Sequence, residues 1–287
     1  MTIRGNTRLA LRGIGIMALM LLSGCDVLRL GVVGHAGPVA EGQWHLYLVV
    51  GAVLIFVAGP VLLLTPIMAW HYRLSNTKSA FKPKWDFSWW IEALIWIPPI
   101  VIVIGLGVVL WTYTHLLDPY RPIPSPQAPL EIQAVALDWK WLFIYPGEQI
   151  ATVNELDIPV GRPVHISLTS GTVMQSLMVP QLAGQIYAMA GMTTQLNFAA
   201  SRAGVFHGQN TQFNGIGFQN QKFNVIARPA PQYRHWVDRV HASGQRLDAA
   251  SYARLSARSV IARPVFFAST PPNLFSHIVA QTPDKAR

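Results

Sequence analysis

The sequence predicts a membrane-anchored α+β protein with a two-helix transmembrane hairpin, an exported β-sandwich and a small C-terminal helical tail. Only 12% of the 287 residues are charged and 51% are hydrophobic, whereas soluble domains usually carry about 25% charged residues. Two long apolar stretches lie at residues 44–70 and 88–114. Short runs of alternating polar and apolar residues begin near residue 130, and a period of two is typical of β-strands.

The first 24 residues are typical of a lipoprotein signal peptide. Three arginines precede an apolar run at residues 14–22, and Ser23 and Gly24 lie directly before Cys25. This order predicts cleavage before Cys25, so that the acylated cysteine becomes the first residue of the mature chain. Cys25 is the only cysteine in the sequence. That fact favours lipidation over an uncleaved signal anchor with an incidental cysteine, and it excludes an intrachain disulfide.

The net charge of the mature chain is modestly positive. The full sequence carries +9, and loss of the three signal-peptide arginines leaves about +6, because the signal peptide contains no acidic residue. In a membrane protein, a small positive excess is typical of basic segments that set the topology and contact lipid headgroups. It does not indicate nucleic-acid binding.

The two apolar stretches predict transmembrane helices joined by a cytoplasmic loop. As a helix, residues 44–70 would reach about 40 Å, enough to cross a bilayer with some tilt. The second span covers residues 88–114, and the loop at residues 71–87 holds four basic residues against one aspartate. The positive-inside rule places this loop in the cytoplasm. The N-terminal segment at residues 25–43 and everything after the second span then lie in the periplasm.

The exported part begins with a proline-rich linker at residues 115–129, followed by a β-sandwich at residues 130–229. Its first run, EIQAVALDWKWLFIYP, shows a period of two and is predicted as a strand. The polar face of that strand would carry Asp138 and Lys140. The opposite face would carry six apolar or aromatic residues: Val135, Leu137, Trp139, Trp141, Phe143 and Tyr145.

Residues 230–287 are predicted to form an aromatic-rich helical tail. A second helix would begin after the cap Asp248, and a third short helix would form within PPNLFSHIVA. The first helix is indicated by apolar residues at helical spacing before the stop signal Gly244: Tyr233, Trp236, Val237 and Val240.

Beyond these patterns, the sequence resembles subunit II of the haem–copper respiratory oxidases. The resemblance covers nearly the whole mature chain. It is carried by the helical hairpin, by DWKWLFIYP, TVNELDIPVGRPVHISLTS and QIYAMAGMTTQL, and by the loop QNTQFNGIGFQNQ at residues 209–221. It implies that the exported domain is a cupredoxin-like β-sandwich. In the branch that oxidises cytochrome c, this domain holds a two-copper centre with ligands on two loops.

The positions that match those copper ligands carry different residues in this sequence. Carboxamides cannot be deprotonated at working pH, and they cannot bridge two copper ions as thiolates do. This argues against a copper-bearing cytochrome c oxidase subunit, and the loop is interpreted as a copper-site frame without metal. DWKWLFIYP and the aromatic tail resemble the quinol-oxidising branch. The matching positions are Gln175, Asn210, Gln212, Asn214, Phe218 and Gln221.

The resemblance implies a non-catalytic subunit of a quinol oxidase, which couples ubiquinol oxidation to the reduction of oxygen to water and translocates protons. This chain is expected to supply no catalytic residue and to bind no metal or cofactor, because the haems and copper of this family belong to subunit I. The expected partners are subunits I, III and IV and the bilayer of the bacterial inner membrane, but not cytochrome c. The chain would anchor and cap the catalytic subunit.

Glu92 is the only carboxylate in either predicted span. Ionisable groups at membrane depth are functional candidates. In the resembling family, a glutamate at the matching place is implicated in a proton inlet to the catalytic subunit. The alternative is an interfacial glutamate that reaches water or pairs with Lys84.

Other candidate residues have structural interpretations that are preferred over functional ones. Trp139 and Trp141 suit core packing or docking against subunit I better than electron transfer. Four isolated groups are interpreted as packing or surface residues and not as metal ligands: His165, His207, Met189 and Met192.

Two functions outside the oxidase class fit parts of the sequence. A periplasmic lipoprotein scaffold or assembly factor would share the sandwich, but it would need neither two spans nor an intramembrane glutamate. Copper storage or delivery would need soft ligands close together, and the sequence offers no such cluster.

Overall fold

The computed structural model describes residues 31–77 and 84–281. The predicted lipidation site, Cys25, lies outside the described residues. The chain divides into two compact units, of which one comprises Gly42–Asp118 and the other holds the remaining described residues.

Two long helices account for the first unit, apart from the first turn of α1, which belongs to the second unit. Helix α1 spans Pro38–His71 and helix α2 spans Trp89–Leu116. The two predicted spans lie within these helices, except that the second was predicted to begin one residue earlier. Both helices are long and apolar enough to cross a bilayer.

Prolines and one arginine shape these helices. Arg73 follows the end of α1, where its Nη1 donates to the Trp70 carbonyl at 2.9 Å and its guanidinium lies over the Trp70 ring at 4.2 Å. A cation at this end complements the helix dipole. Each proline removes one helical hydrogen bond, a loss that membrane helices tolerate. Each helix contains two of them: Pro60 and Pro66 in α1, and Pro98 and Pro99 in α2.

The second unit is a sandwich of two β-sheets, and it confirms the predicted fold class. One sheet has the strand order β11-β3-β2-β1-β5-β8 and the other β4-β10-β9-β6-β7. Neighbouring strands are antiparallel except for the pairs β1 with β5 and β4 with β10. The strands are β1 (Leu130–Leu137), β2 (Lys140–Tyr145), β3 (Ile150–Val153), β4 (Glu155–Pro159), β5 (Val164–Ser170), β6 (Gln175–Val179), β7 (Ala183–Ala188), β8 (Thr194–Phe198), β9 (Gly204–Asn210), β10 (Lys222–Arg228) and β11 (Val265–Phe267).

Apolar side chains of both sheets meet in the core of the sandwich. Trp141 and Phe143 of one sheet and Phe223 of the other are buried, with ring centroids 5.2 to 6.4 Å apart. Aromatic pairs attract each other at these distances. Full burial of each such side chain stabilises the fold by about 1.5–3 kcal/mol.

The structure corrects the prediction of one long strand at residues 131–146. β1 ends at Leu137 and β2 begins at Lys140, and Asp138 and Trp139 form the turn between them. Trp139 has a φ of 68°, in the left-handed region that few residues other than glycine adopt. Leu137 pairs with Lys140. Because directly paired residues share a face of the sheet, the alternation changes sides at the turn.

Five of the six residues predicted for one face therefore lie on two faces, and the sixth, Trp139, lies in the turn. Val135 and Leu137 point toward the tail, whereas Trp141, Phe143 and Tyr145 point into the core. The prediction was wrong because the two turn residues also fit the alternating pattern, so the pattern does not reveal where the chain reverses.

The tail consists of three helices and one strand. The helices are α3 (Ala230–His241), α4 (Ala249–Ser256) and α5 (Leu274–Gln281). Asp248 caps α4 as predicted, because its carboxylate accepts a hydrogen bond from the Ser251 amide at 2.7 Å. The predicted helical tail is confirmed, and it contributes one strand in addition, since β11 joins the first sheet beside β3.

The tail covers the outer face of the first sheet. Leu142 and Ile144 of β2 pack there with Leu255 of α4 and Phe275 of α5. β2 is thus buried on both faces, by the core on one side and by the tail on the other.

Asp138 and Lys140 hold the tail by polar contacts. Lys140 Nζ donates to the carbonyls of Ala257 at 2.7 Å and Ser259 at 3.0 Å, and to Ser259 Oγ at 2.8 Å. Asp138 Oδ2 accepts from Arg258 Nε at 3.0 Å. Burial lowers the pKa of Lys140, although the neighbouring Asp138 opposes this shift. The three acceptors offset the cost of removing the Lys140 side chain from water.

The segment before α1 packs onto the sandwich. The Ala36 amide donates to the Gln181 carbonyl at 2.8 Å, and the Ala36 carbonyl accepts from the Ser201 amide at 2.7 Å. Gly37 lies so close to the sheet that a Cβ there would be 2.2 Å from the Ala199 carbonyl oxygen. The chain is therefore tied to the sandwich before α1 begins.

A buried ion pair lies where β10 passes into the tail. Asp157 of β4 is fully buried and accepts a hydrogen bond from Arg228 Nε, two residues before α3 begins. Tyr145 fixes this strand, since its hydroxyl accepts from the Asp157 amide at 2.9 Å and donates to the Asp157 carbonyl at 3.0 Å. Burial raises the pKa of Asp157 from 3.8 to about 7, although Arg228 favours the ionised carboxylate.

This raised pKa predicts that the stability of the sandwich depends on pH through Asp157. Between about pH 4 and pH 7 the folded state keeps a proton that the unfolded state releases, so the free energy of unfolding falls as the pH rises. The contribution of this one group to the slope approaches roughly 1.4 kcal/mol per pH unit. In Asp157→Asn that contribution disappears and the curve flattens.

Urea unfolding of the detergent-solubilised chain at a series of pH values, followed by circular dichroism, measures this slope. Asp238→Asn changes an exposed aspartate of α3 and serves as the matched control, which should keep the wild-type slope. A slope in Asp157→Asn equal to that of the wild type would contradict the assignment.

Candidate functional site

Four of the six positions that match the copper ligands of the cytochrome c-oxidising branch come together at one end of the second sheet. Gln175 begins β6, Asn210 ends β9, and Asn214 and Gln221 belong to the loop that leads into β10. Their carboxamides form one hydrogen-bonded network, called here the amide cluster.

Gln221 is the centre of the amide cluster and is fully buried. Its Nε2 donates to Gln175 Oε1 and to the carbonyl of Leu137 at 3.2 Å. Its Oε1 accepts from Asn210 Nδ2 at 3.0 Å and from Asn214 Nδ2 at 2.7 Å. One carboxamide therefore joins the loop, both sheets and the end of β1.

Asn210 closes the start of the loop. Its Oδ1 accepts from the amides of Ser176 at 2.9 Å and Gln212 at 3.0 Å, and its Nδ2 also donates to the Gln212 carbonyl at 2.8 Å. Gln212 thus takes part in the cluster through its backbone. The loop geometry depends on a side chain that offers a donor and an acceptor together, and a carboxamide provides both.

Phe218, the remaining one of the six positions that match copper ligands, lies outside the hydrogen-bonded network. Its ring packs against Phe213 with centroids 5.7 Å apart. The tip of the loop is apolar and open, since Phe213 is 72% and Ile216 is 97% exposed. The loop is polar and ordered by hydrogen bonds on its inner side and apolar on its outer side.

The Trp139 side chain packs against this loop, a contact that the sequence analysis missed. Its Nε1 donates to the Asn214 carbonyl at 3.3 Å, and a Cβ at Gly217 would lie 2.2 Å from its ring. Only a glycine allows this close approach. The sequence signal was the Gly-x-Gly spacing at Gly215 and Gly217. Trp141 lies in the core, in agreement with the packing interpretation.

The chemistry of the amide cluster is that of a structural network. Within the described part of the chain, no group of three or more His, Cys, Asp or Glu side chains is placed to hold a metal ion. The donor set does not fit a thiolate-bridged copper centre, since the inward-facing groups are carboxamides that hydrogen-bond to one another. Asn214 Oδ1 is the one buried oxygen of the cluster without a donor among the described residues.

The two histidines considered from the sequence lie in different sheets. His165 Nδ1 lies 2.9 Å from Asn197 Oδ1 in the first sheet, and His207 Nδ1 lies 3.0 Å from Asn224 Oδ1 in the second. Met192 is more than half exposed, and the Met189 carbonyl accepts from Thr169 Oγ1. These contacts agree with the interpretation of all four residues as packing or surface groups.

Glu92 lies in the helical unit, in the first turn of α2. Its Oε2 accepts a hydrogen bond from Trp96 Nε1 at 3.1 Å. The alternative interpretation paired Glu92 with Lys84, and no ion pair between them is found among residues 31–77 and 84–281. The described partner of the carboxylate is therefore an indole.

Two family models match the chain. "Cytochrome C oxidase subunit II, periplasmic domain" matches residues 146–226, and "COX Aromatic Rich Motif" matches residues 241–284. The first match includes the whole amide cluster, and the second covers the tail after α3.

Relatives that are similar over most of the chain carry the name of a quinol oxidase subunit. The chain is 41% identical to cytochrome bo(3) ubiquinol oxidase subunit 2 of Pseudomonas aeruginosa, over 97% of its own length and 83% of the relative. It is 42% identical to ubiquinol oxidase subunit 2 of Acetobacter aceti, over 93% and 86%. It is 34% identical to quinol oxidase subunit 2 of Bacillus subtilis, over 86% and 78%.

The central place of Gln221 predicts that Gln221→Met destabilises the sandwich by roughly 2 kcal/mol or more, because several buried amides and carbonyls lose their partners. Methionine has a similar length but cannot donate these hydrogen bonds. Urea unfolding measures the loss, and hydrogen exchange should show faster exchange of the amides in the loop at residues 209–221.

The control for this change is Gln219→Met, which replaces an exposed glutamine of the same loop. It should unfold within about 0.5 kcal/mol of the wild type. Equal stabilities of the two variants would show that the amide cluster does not order the loop.

Proposed function

The chain belongs to the ubiquinol oxidase subunit 2 family, and we propose that it works as the second subunit of a complex that oxidises ubiquinol and reduces oxygen to water. In this proposal the haems and copper that carry out the redox chemistry belong to subunit I, which binds this chain directly. This chain supplies no reacting group. Subunits III and IV complete the complex, and proton translocation accompanies its turnover.

The observation that carries this proposal is the amide cluster. A subunit that receives electrons from cytochrome c needs a redox centre in its exported domain. The inward-facing groups of the 209–221 loop are carboxamides already paired with one another, and such groups neither accept electrons nor ligate copper well. Electrons from a membrane-soluble quinol need no centre in this domain.

The proposed topology follows from charge and hydropathy. α1 and α2 cross the inner membrane, with the basic loop at residues 71–87 in the cytoplasm and the sandwich and tail in the periplasm. Cleavage after residue 24 and acylation of Cys25 would add a lipid anchor on the periplasmic side. The sandwich and tail would cap the exported face of subunit I.

Glu92 is proposed to form part of a proton inlet into subunit I. It is the only acidic residue within α2. A carboxylate in so apolar a helix is expensive unless it has a use or a partner. Placed in the first turn of α2, it lies close to the cytoplasmic end, from which protons for oxygen reduction would be taken up.

The first test of this function is oxygen uptake by the complex purified through a tag on this chain. Uptake is expected with ubiquinol and not with reduced cytochrome c, because the exported domain holds no electron acceptor in its 209–221 loop. An oxygen electrode measures both rates on the same preparation.

Uptake with cytochrome c would contradict the interpretation of the amide cluster. No uptake with either donor, from a preparation with intact haems and partner subunits, would instead support a scaffold or assembly factor.

A second prediction concerns Glu92→Gln. This change keeps the size of the side chain but removes its ability to carry a proton, so ubiquinol-supported turnover should fall by roughly ten-fold or more while assembly is preserved. Stopped-flow measurement of proton uptake, together with the subunit content of the purified complex, checks both points. As a control, Gln43→Glu is combined with Glu92→Gln. It adds a carboxylate in α1 and should not restore the rate of the Glu92→Gln variant. Unchanged turnover in Glu92→Gln would contradict the inlet.

A further inference from the structure

The carboxylate of Glu92 has one described hydrogen-bond donor, and it is a neighbour on the same helix. Trp96 Nε1 donates to Glu92 Oε2 at 3.1 Å. The two residues are four apart, a spacing that places side chains on the same face of a helix. The other side chains of the first two turns of α2 are apolar or aromatic, and Trp96 is the one whose N–H reaches the carboxylate among the described residues.

This hydrogen bond affects the position of the carboxylate. An indole N–H can only donate, and a carboxylate oxygen can accept. The bond selects the rotamer in which the carboxylate lies along the helix toward Trp96. Without a donor, a glutamate at a helix end extends toward the aqueous phase.

The backbone in the turn after Glu92 offers further acceptors. Pro98 and Pro99 lie within α2 and have no N–H. The carbonyls four residues earlier, at Leu94 and Ile95, therefore lose their ordinary helical donors. Unpaired carbonyls in an apolar helix bind water where water can reach them. The carboxylate, the indole and two free carbonyls thus lie within about one helical turn.

We propose that Trp96 is a positioning residue for proton uptake, which holds the Glu92 carboxylate against α2 in the turn that also carries the carbonyls freed by Pro98 and Pro99. This inference rests on the proposed inlet role of Glu92. Trp96 carries no proton in the pathway. Its indole N–H keeps the carboxylate turned along the helix, so that a proton taken from the cytoplasmic side is released toward water at those carbonyls.

The test compares Trp96→Phe with the wild type in the purified complex. Phenylalanine keeps an aromatic ring in the helix but removes the N–H. Ubiquinol-supported turnover is expected to fall by roughly three-fold to ten-fold, and the pH profile of proton uptake is expected to change, because the carboxylate loses the donor that positions it. Oxygen uptake and stopped-flow proton uptake across a pH series measure both.

Two further variants separate positioning from packing. Trp90→Phe makes the same change at an exposed tryptophan of the same helix and should keep the wild-type pH profile. Trp96→Gln loses the ring but restores a donor at the same spacing, so it should recover part of the rate and the wild-type profile. A merely structural role for the indole would not be rescued by glutamine.

The outcomes distinguish the inference from the function on which it rests. If Glu92→Gln slows turnover while Trp96→Phe keeps the wild-type rate and pH profile, the positioning role is overturned and the inlet stands. If Glu92→Gln has no effect, the inlet and the positioning role both fall. A changed profile in Trp96→Phe, a wild-type profile in Trp90→Phe and recovery in Trp96→Gln together support the inference.

Discussion

The two-residue turn between β1 and β2 is the constraint on which the exported unit depends. The carbonyl of Leu137, directly before the turn, accepts from the central amide of Gln221. The Trp139 ring supports the 209–221 loop, and the side chains of Asp138 and Lys140 hold the tail. Since Trp139 adopts a left-handed backbone conformation that costs about 1 kcal/mol or more, these contacts compensate for a strained turn.

The turn between β1 and β2 therefore holds both the 209–221 loop and the tail in place. In a copper-binding sandwich, the metal would order the loop. In this chain three features order the loop together: the carboxamide hydrogen bonds, the packing of Gly217 against the Trp139 indole, and the turn. Each hydrogen bond contributes only about 1 kcal/mol, but each of the four carboxamides has at least one partner within the network, and connected buried hydrogen bonds favour one conformation. The order of the loop therefore does not require a bound ion.

Local signals in the sequence predicted a large part of this structure. The two spans follow from uninterrupted apolar residues, and the α4 cap at Asp248 follows from an acidic residue before a helix. The six positions that match copper ligands were located by resemblance, and the structure brings four of them together in the amide cluster. Gln212 joins by its backbone, and Phe218 cannot join because its ring has no hydrogen-bonding group. Which atoms of a loop residue are used depends on tertiary contacts that spacing does not specify.

What the sequence did not reveal involves contacts between distant segments. The reversal at Asp138 and Trp139 is hidden because the turn residues continue the alternating pattern. β11 has three residues, too few for a periodic signal, and it is a strand only because β3 offers an open edge. Lys140 looked like a solvent-facing lysine because its acceptors, at Ala257 and Ser259, come more than one hundred residues later.

That distance along the chain also limits when the exported unit can finish folding. Lys140 and Ser259 are 119 positions apart, and the outer faces of Leu142 and Ile144 stay uncovered until α5 has crossed the membrane. Structures that close such long loops fold slowly, and their apolar surfaces are exposed in the meantime. Export of α5 therefore sets the earliest moment at which this unit can finish folding. A chain that is truncated or arrested before α5 would present an unfinished sheet to periplasmic proteases and chaperones.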